Sequence, residues 1–122
     1  MSVEQKRRAL ITGASSGIGK ATALAFAKAG IDVALVSRSL DKLEAVREAA
    51  EHTGVEAKAY AVDLARISEV KEKIQAIALD FGDIDILVNN AGMAYTGTLT
   101  EILLEDWQQV IDLNVTSVFQ CI

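Results

Sequence analysis

Proline is absent from these 122 residues, and cysteine and histidine occur once each, as Cys121 and His52. No Pro/Gly/Ser-rich linker, repeat or low-complexity tract divides the chain, so a single domain, residues 1–122, is expected. A lone cysteine forms no internal disulfide, and Cys121 has no charged sequence neighbour to activate it, so it reads as a packed thiol. His52 has no second histidine or cysteine pair at ligand spacing; it reads as a surface residue near a helix end, and no metal is expected. Neither a signal-peptide apolar region nor an apolar run of membrane-spanning length is visible, which makes the cytoplasm the expected compartment, with no membrane partner.

Clustered basic charge is missing as well. With 12 Lys and Arg against 17 Asp and Glu the net charge is -5, and no surface offers the counterion release that a phosphate backbone rewards, so nucleic acid is not an expected partner. What is present is ordinary globular composition, 51% hydrophobic and 24% charged, enough for one core.

Within it two periodicities alternate. Residues 8–12 (RALIT), 32–37 (DVALVS), 57–62 (AKAYAV) and 84–88 (IDILV) read as strands, the second and fourth so continuously apolar that both faces should be covered, as in a parallel sheet. Between them lie helical patterns. One runs from Gly17 to Ala29, with Ile18, Ala21, Thr22, Ala25 and Ala29 on the expected inner face and Gly30 as its stop. A second follows Ser39, a candidate N-cap, with Leu43, Val46 and Ala50 inward and Gly54 beyond its end. A third carries Ile67, Val70, Ile74, Ile77, Ala78 and Phe81 before Gly82, and a fourth should start near Leu104 and run toward the chain end. The alternation predicts an α/β fold of Rossmann type: a doubly wound parallel sheet of about four strands in the order 3-2-1-4 with helices on both faces.

The stretch "ITGASSGIG" places Gly13, Gly17 and Gly19 between the first strand and the first helix. A loop entering a helix leaves backbone N–H groups without helical acceptors at the positive end of the dipole, which suits an anion. Gly13 can turn with positive φ, Gly17 lets the backbone approach a pyrophosphate, Gly19 has no Cβ to hold the helix off its strand, and Ser15 and Ser16 add hydroxyl donors. A plain tight turn would need the same glycines. A P-loop would not fit: Gly13 is one residue too far from Gly19-Lys20, and Ala21 stands where a magnesium-binding Ser or Thr belongs. At the end of the second strand stand Ser37-Arg38, where an NAD site usually has an acid; an arginine there can pair with a 2′-phosphate, pointing to NADP(H), or it can be a solvated loop residue. Asp63, after the third strand, could sit by an adenine or serve as a turn aspartate.

The fourth strand ends in Asn89-Asn90-Ala91-Gly92, and Asn114 follows in "DLNVTSVF". With Thr12-Gly13-Ala14-Ser15-Ser16-Gly17-Ile18-Gly19, these motifs resemble the short-chain dehydrogenase/reductase family along essentially the whole chain, most of all its 3-oxoacyl-(acyl-carrier-protein) reductase-like branch. The resemblance implies an NADP(H)-dependent oxidoreductase that moves hydride between nicotinamide and a small-molecule carbonyl or alcohol. It implies phosphate binding by Gly13, Ser15, Ser16, Gly17, Ile18 and Gly19, the 2′-phosphate at Arg38, adenine beside Asp63 and Leu64, and Asn90, Ala91 and Gly92 along the adenine-ribose side. It makes Asn89 a structural tie between strands and gives Asn114 a water of the proton relay. From its own chemistry Asn114 is only a mid-helix polar group that needs a partner if buried.

The family's chemistry also uses a Ser, and a Tyr followed four positions on by a Lys, to protonate the carbonyl oxygen. Here Tyr60 is followed at that spacing by Leu64 and Tyr95 by Leu99, and both precede Asn114. The sequence, stopping inside a helical pattern, therefore reads as an N-terminal half that is catalytically incomplete by itself. Its fourth strand would be an open edge, from which a homo-oligomer is expected. The alternative reading is a stand-alone half-Rossmann fold that self-associates and binds nucleotide without catalysis.

Overall fold

A computed structural model describes residues 7–90 together with Glu105 and Gln108, which are helical and exposed. Strands β1 (Arg8–Thr12), β2 (Asp32–Ser37), β3 (Ala57–Ala61) and β4 (Ile86–Val88) alternate with helices α1 (Gly17–Lys28), α2 (Leu40–Glu51) and α3 (Ile67–Phe81). The strands form one parallel sheet in the order β3-β2-β1-β4, with Leu10 paired to Ala34 on one side and to Leu87 on the other. That is the topology the alternation predicts.

Side chains alternate across the sheet as a strand requires. On one face Ile11, Val33, Leu35 and Ala57 pack with Ala23 and Ala27 of α1 and Leu43, Val46 and Ala50 of α2. On the other, Leu10, Ala34 and Val36 pack with Val70, Ile77 and Phe81 of α3. Burying a side chain such as Leu43 completely contributes about 1.5–3 kcal/mol.

The inner faces of α2 and α3 are those the periodicity indicates, but the inner face of α1 is not. Its buried residues are Gly19, Ala23 and Ala27, whereas Ala21, Ala25 and Ala29 are exposed and Ile18 is 77% exposed. Alanines stand on more than one side of this helix, so hydrophobicity alone does not choose between the row of Ala21, Ala25 and Ala29 and the row of Gly19, Ala23 and Ala27. The i, i+4 row that packs inward consists of Gly and Ala, which bring the helix axis close to the sheet.

Other departures are local. β3 stops at Ala61, and β4 begins at Ile86, although Asp85 already donates its N–H to the Arg8 carbonyl at 2.9 Å and accepts the Arg8 N–H on Oδ2 at 2.9 Å. Ser39 occupies the N-cap of α2 but makes no side-chain cap bond; its carbonyl accepts from the Leu43 N–H at 3.1 Å. His52 is exposed at the C-cap of α2, as expected. Tyr95, the start of the fourth helix, Asn114 and Cys121 lie outside the described residues.

With β1 between β2 and β4, the chain leaves β1 toward one side and returns from β3 to the other. The two crossovers diverge above the carboxyl end of β1, opening a crevice there.

Candidate functional site

The crevice is built around the turn after β1. Gly13 takes φ 63° and Gly17 φ 57°, both left-handed values that a side chain disfavours. The bond from the Lys20 N–H to the Ser16 carbonyl, at 3.2 Å, is the first of α1, so the amides of Gly17, Ile18 and Gly19 have no helical acceptor. A Cβ added at Gly17 would meet nothing within 4 Å. The backbone is therefore open to an approaching ligand at the positive end of α1, the arrangement an anionic group satisfies.

Gly19 has the opposite reason for being glycine. A Cβ there would overlap the Gly13 carbonyl and lie 2.6 Å from Nδ2 of Asn90. It packs beneath the turn and does not line the crevice, whereas Gly13, Ser15, Ser16, Gly17 and Ile18 do.

Three more strand ends complete a cleft of about 410 Å³: Val36, Ser37 and Arg38 after β2, Val62 and Leu64 after β3, and Asn90 after β4. Arg38 is exposed and makes no ion pair among the described residues; it is the one charged side chain among the described residues of this lining. Ser37 Oγ donates to Ser15 Oγ at 3.1 Å and joins β2 to the glycine turn. Val36, Val62 and Leu64 form an apolar wall that a flat heteroaromatic ring fits.

Two expected roles look different here. Asp63 is not in the cleft wall: its Oδ1 accepts the Ala65 N–H at 3.0 Å and its Oδ2 lies 3.8 Å from Arg66 Nε, a turn-forming arrangement. Asn89 is exposed and its side chain bonds to no described residue, while Asn90 does the tying: its N–H donates to buried Thr12 Oγ1 at 3.0 Å and its Nδ2 to the Gly13 carbonyl at 3.3 Å. Both residues follow the end of β4, and it is Asn90 that the chain brings against the Thr12–Gly13 turn. Ala91, Gly92 and Asn114 lie outside the described residues.

Sequence reading did not single out Val36 and Val62 as site residues. Their signal was position: each stands at or just past the carboxyl end of a strand, on the face that α3 covers.

Tyr60 lies elsewhere. Its hydroxyl donates to Asp80 Oδ2 at 2.6 Å on the β3 edge, and burial first, then that carboxylate, makes the phenol harder to ionise than usual. A tyrosine serving as a proton donor at a carbonyl needs the reverse shift. Among the described residues no group of acidic, histidine and cysteine side chains is arranged to hold a metal, and no helix is long and apolar enough to cross a membrane.

Residues 7–122 match the short chain dehydrogenase family. The 3-oxoacyl-(acyl-carrier-protein) reductase of Staphylococcus epidermidis is 44% identical over 117 residues, covering 95% of this chain and 48% of its own. Among solved structures, L-sorbose reductase of Gluconobacter frateurii complexed with NADPH and L-sorbose superposes with a TM-score of 0.89 at 38% identity, covering 95% of this chain and 44% of that one. An alcohol dehydrogenase of Thermococcus sibiricus complexed with 5-hydroxy-NADP gives a TM-score of 0.89 at 36% identity, over 96% and 50% of the two chains. The chain thus spans about half the length of the proteins it matches.

Proposed function

The chain belongs to the short-chain dehydrogenase family, and from that premise we propose that it is the NADP(H)-binding N-terminal part of an oxidoreductase acting on a small-molecule carbonyl or alcohol. The observation that carries the proposal is the pairing of an open glycine backbone at the start of α1 with the exposed cation Arg38 on the same cleft. The amides of Gly17 and Ile18, with the hydroxyls of Ser15 and Ser16, bind the diphosphate, and Gly13 and Gly19 shape the turn that presents them. Arg38, beside Ser37, pairs with the 2′-phosphate, and no acid lines the described wall to prefer a bare ribose. Val36, Val62 and Leu64 hold the adenine, with Asp63 shaping the turn beneath it. Asn90 borders the adenine-ribose side while securing the turn, and the family resemblance alone assigns Ala91 and Gly92 to the same side.

Bound there, the coenzyme supplies the hydride exchanged with a carbonyl carbon. The residues of this sequence orient it and exclude water, and Asn114 holds a water for proton transfer. The donor itself is not in this sequence, since neither tyrosine has a lysine four positions on. These 122 residues therefore bind NADP(H) without turning it over. A 3-oxoacyl thioester is the substrate that the 44% identical reductase suggests. The half-buried β4 edge, Ile86 to Val88, supports a homo-oligomer, and the single cysteine suits the cytoplasm.

Calorimetric titration tests the reading. NADPH should bind at least about tenfold more tightly than NADH, the worth of one charge-assisted contact. Equal affinity would remove the Arg38 assignment, and turnover of a ketone or an acetoacetyl thioester at enzymatic rates would remove the claim of incompleteness.

A further inference from the structure

β3 is an edge strand whose two parities differ in character. The Glu56 carbonyl accepts from the Val33 N–H at 3.0 Å, and the Val62 N–H donates to the Ser37 carbonyl at 2.9 Å, so the even-numbered residues bond to β2. Successive residues of a strand turn their N–H and C=O groups to opposite sides. Those of Ala57, Ala59 and Ala61 therefore point away from β2, and among the described residues no other strand meets them. Their side chains are methyl groups, which leave this row of donors and acceptors open to a second strand.

The even parity carries charge. Lys58, in the middle of the strand, holds its Nζ 3.5 Å from Asp80 Oδ2 of α3 and 3.9 Å from Glu56 Oε1, and Tyr60 donates to the same Asp80 oxygen at 2.6 Å. The side chains of Lys58, Glu56 and Asp80 remain 41%, 52% and 58% exposed. A strand added along Ala57–Ala61 would lie about 4.8 Å from β3, with its own side chains beside Lys58 and Tyr60. It would strip water from these charges, and contacts of 3.5 and 3.9 Å only partly replace that water. The edge strand β4 is built differently, from the apolar Ile86, Leu87 and Val88.

We propose that the Lys58–Asp80 pair guards the β3 edge against pairing with β3 of a second copy of this chain. The guard is independent of the coenzyme cleft, and it confines self-association to other surfaces.

The test is sedimentation velocity of the whole chain over the micromolar to millimolar range. Lys58→Thr/Asp80→Asn removes both charges and leaves Tyr60 an acceptor; it should self-associate at a concentration at least about tenfold below any association of the wild type. Lys58→Gln/Asp80→Asn, equally neutral, should do the same and decides the matter if the first variant does not fold. Lys58→Arg, which keeps the charge, should sediment as the wild type does. In the associated variants hydrogen exchange should slow at the amides of Ala57, Ala59 and Ala61, which locates the contact. Neutral variants that sediment like the wild type, or that associate while those three amides exchange freely, would overturn the guard. So would a wild type whose own association protects them.

Discussion

Gly19 lies against Gly13 so closely that a Cβ on the first would overlap the carbonyl oxygen of the second. The obstacle is backbone on one side and the Asn90 amide, at 2.6 Å, on the other, so neither can rotate away as a flexible side chain would. Gly19→Ala should destabilise the fold by about 1–3 kcal/mol, the usual range for overpacking, and lower NADPH affinity by moving the turn. Urea denaturation and NADPH titration of the same variant check the two effects together.

Gly17 calls for a different outcome. Its constraint is a φ of 57° in open space, so Gly17→Ala should lose only about 1–2 kcal/mol for the left-handed conformation. Gly17→Asn should lose less, because asparagine tolerates that region. Binding should suffer in both, since the new side chain enters the space the diphosphate approaches. Stabilities of the two variants that fall in the reverse order would contradict this account.

Under the proposed pairing of Arg38 with the 2′-phosphate, which only NADPH carries, Arg38→Ala should weaken NADPH binding about tenfold or more and leave NADH within about twofold. Raising ionic strength should shrink the NADPH advantage of the wild type in parallel.

Thr12 is buried to 1% exposure, and its hydroxyl accepts the Asn90 N–H while donating to the Val88 carbonyl at 3.3 Å. Thr12→Val keeps the shape and deprives both partners, so a loss of about 1–3 kcal/mol is expected. Hydrogen exchange at the Asn90 amide should accelerate more than at Ala34, which β1 and β3 flank.

Tyr60 sets an alkaline dependence. Burial and the bond to Asp80 hold its proton in the fold beyond the pH at which an ordinary tyrosine, with a pKa of 10.0, releases it. The unfolded chain gives up that proton first, so stability present below about pH 10 declines as pH rises above it. Denaturant midpoints measured from about pH 8 to pH 11 should fall more steeply for the wild type than for Tyr60→Phe.

Much of this was legible in one dimension. In α2 the charged residues outside Leu43, Val46 and Ala50 mark the inner face without ambiguity, and Gly13 and Gly17 declare a turn that only left-handed residues make. Where local pattern is degenerate it does not discriminate. Around α1 two neighbouring rows are small and apolar, and packing against the sheet selected Gly19, Ala23 and Ala27 over Ala21, Ala25 and Ala29. In Asn89-Asn90 two identical residues stand side by side, and the path of the chain past the end of β4 set the second against Thr12 and Gly13.

The amino-acid order thus determined what depends on neighbours within a few positions: the strands and helices, their alternation, the glycine turn and the cation after β2. Tertiary structure decided what depends on residues far apart, such as Ser37 reaching Ser15 across 22 positions and Asn90 reaching Gly13 across 77. The physical reason is register. A hydrogen bond spans about 3 Å, strands advance by about that much per residue, and a slip of one position would hand each bond to a different side chain.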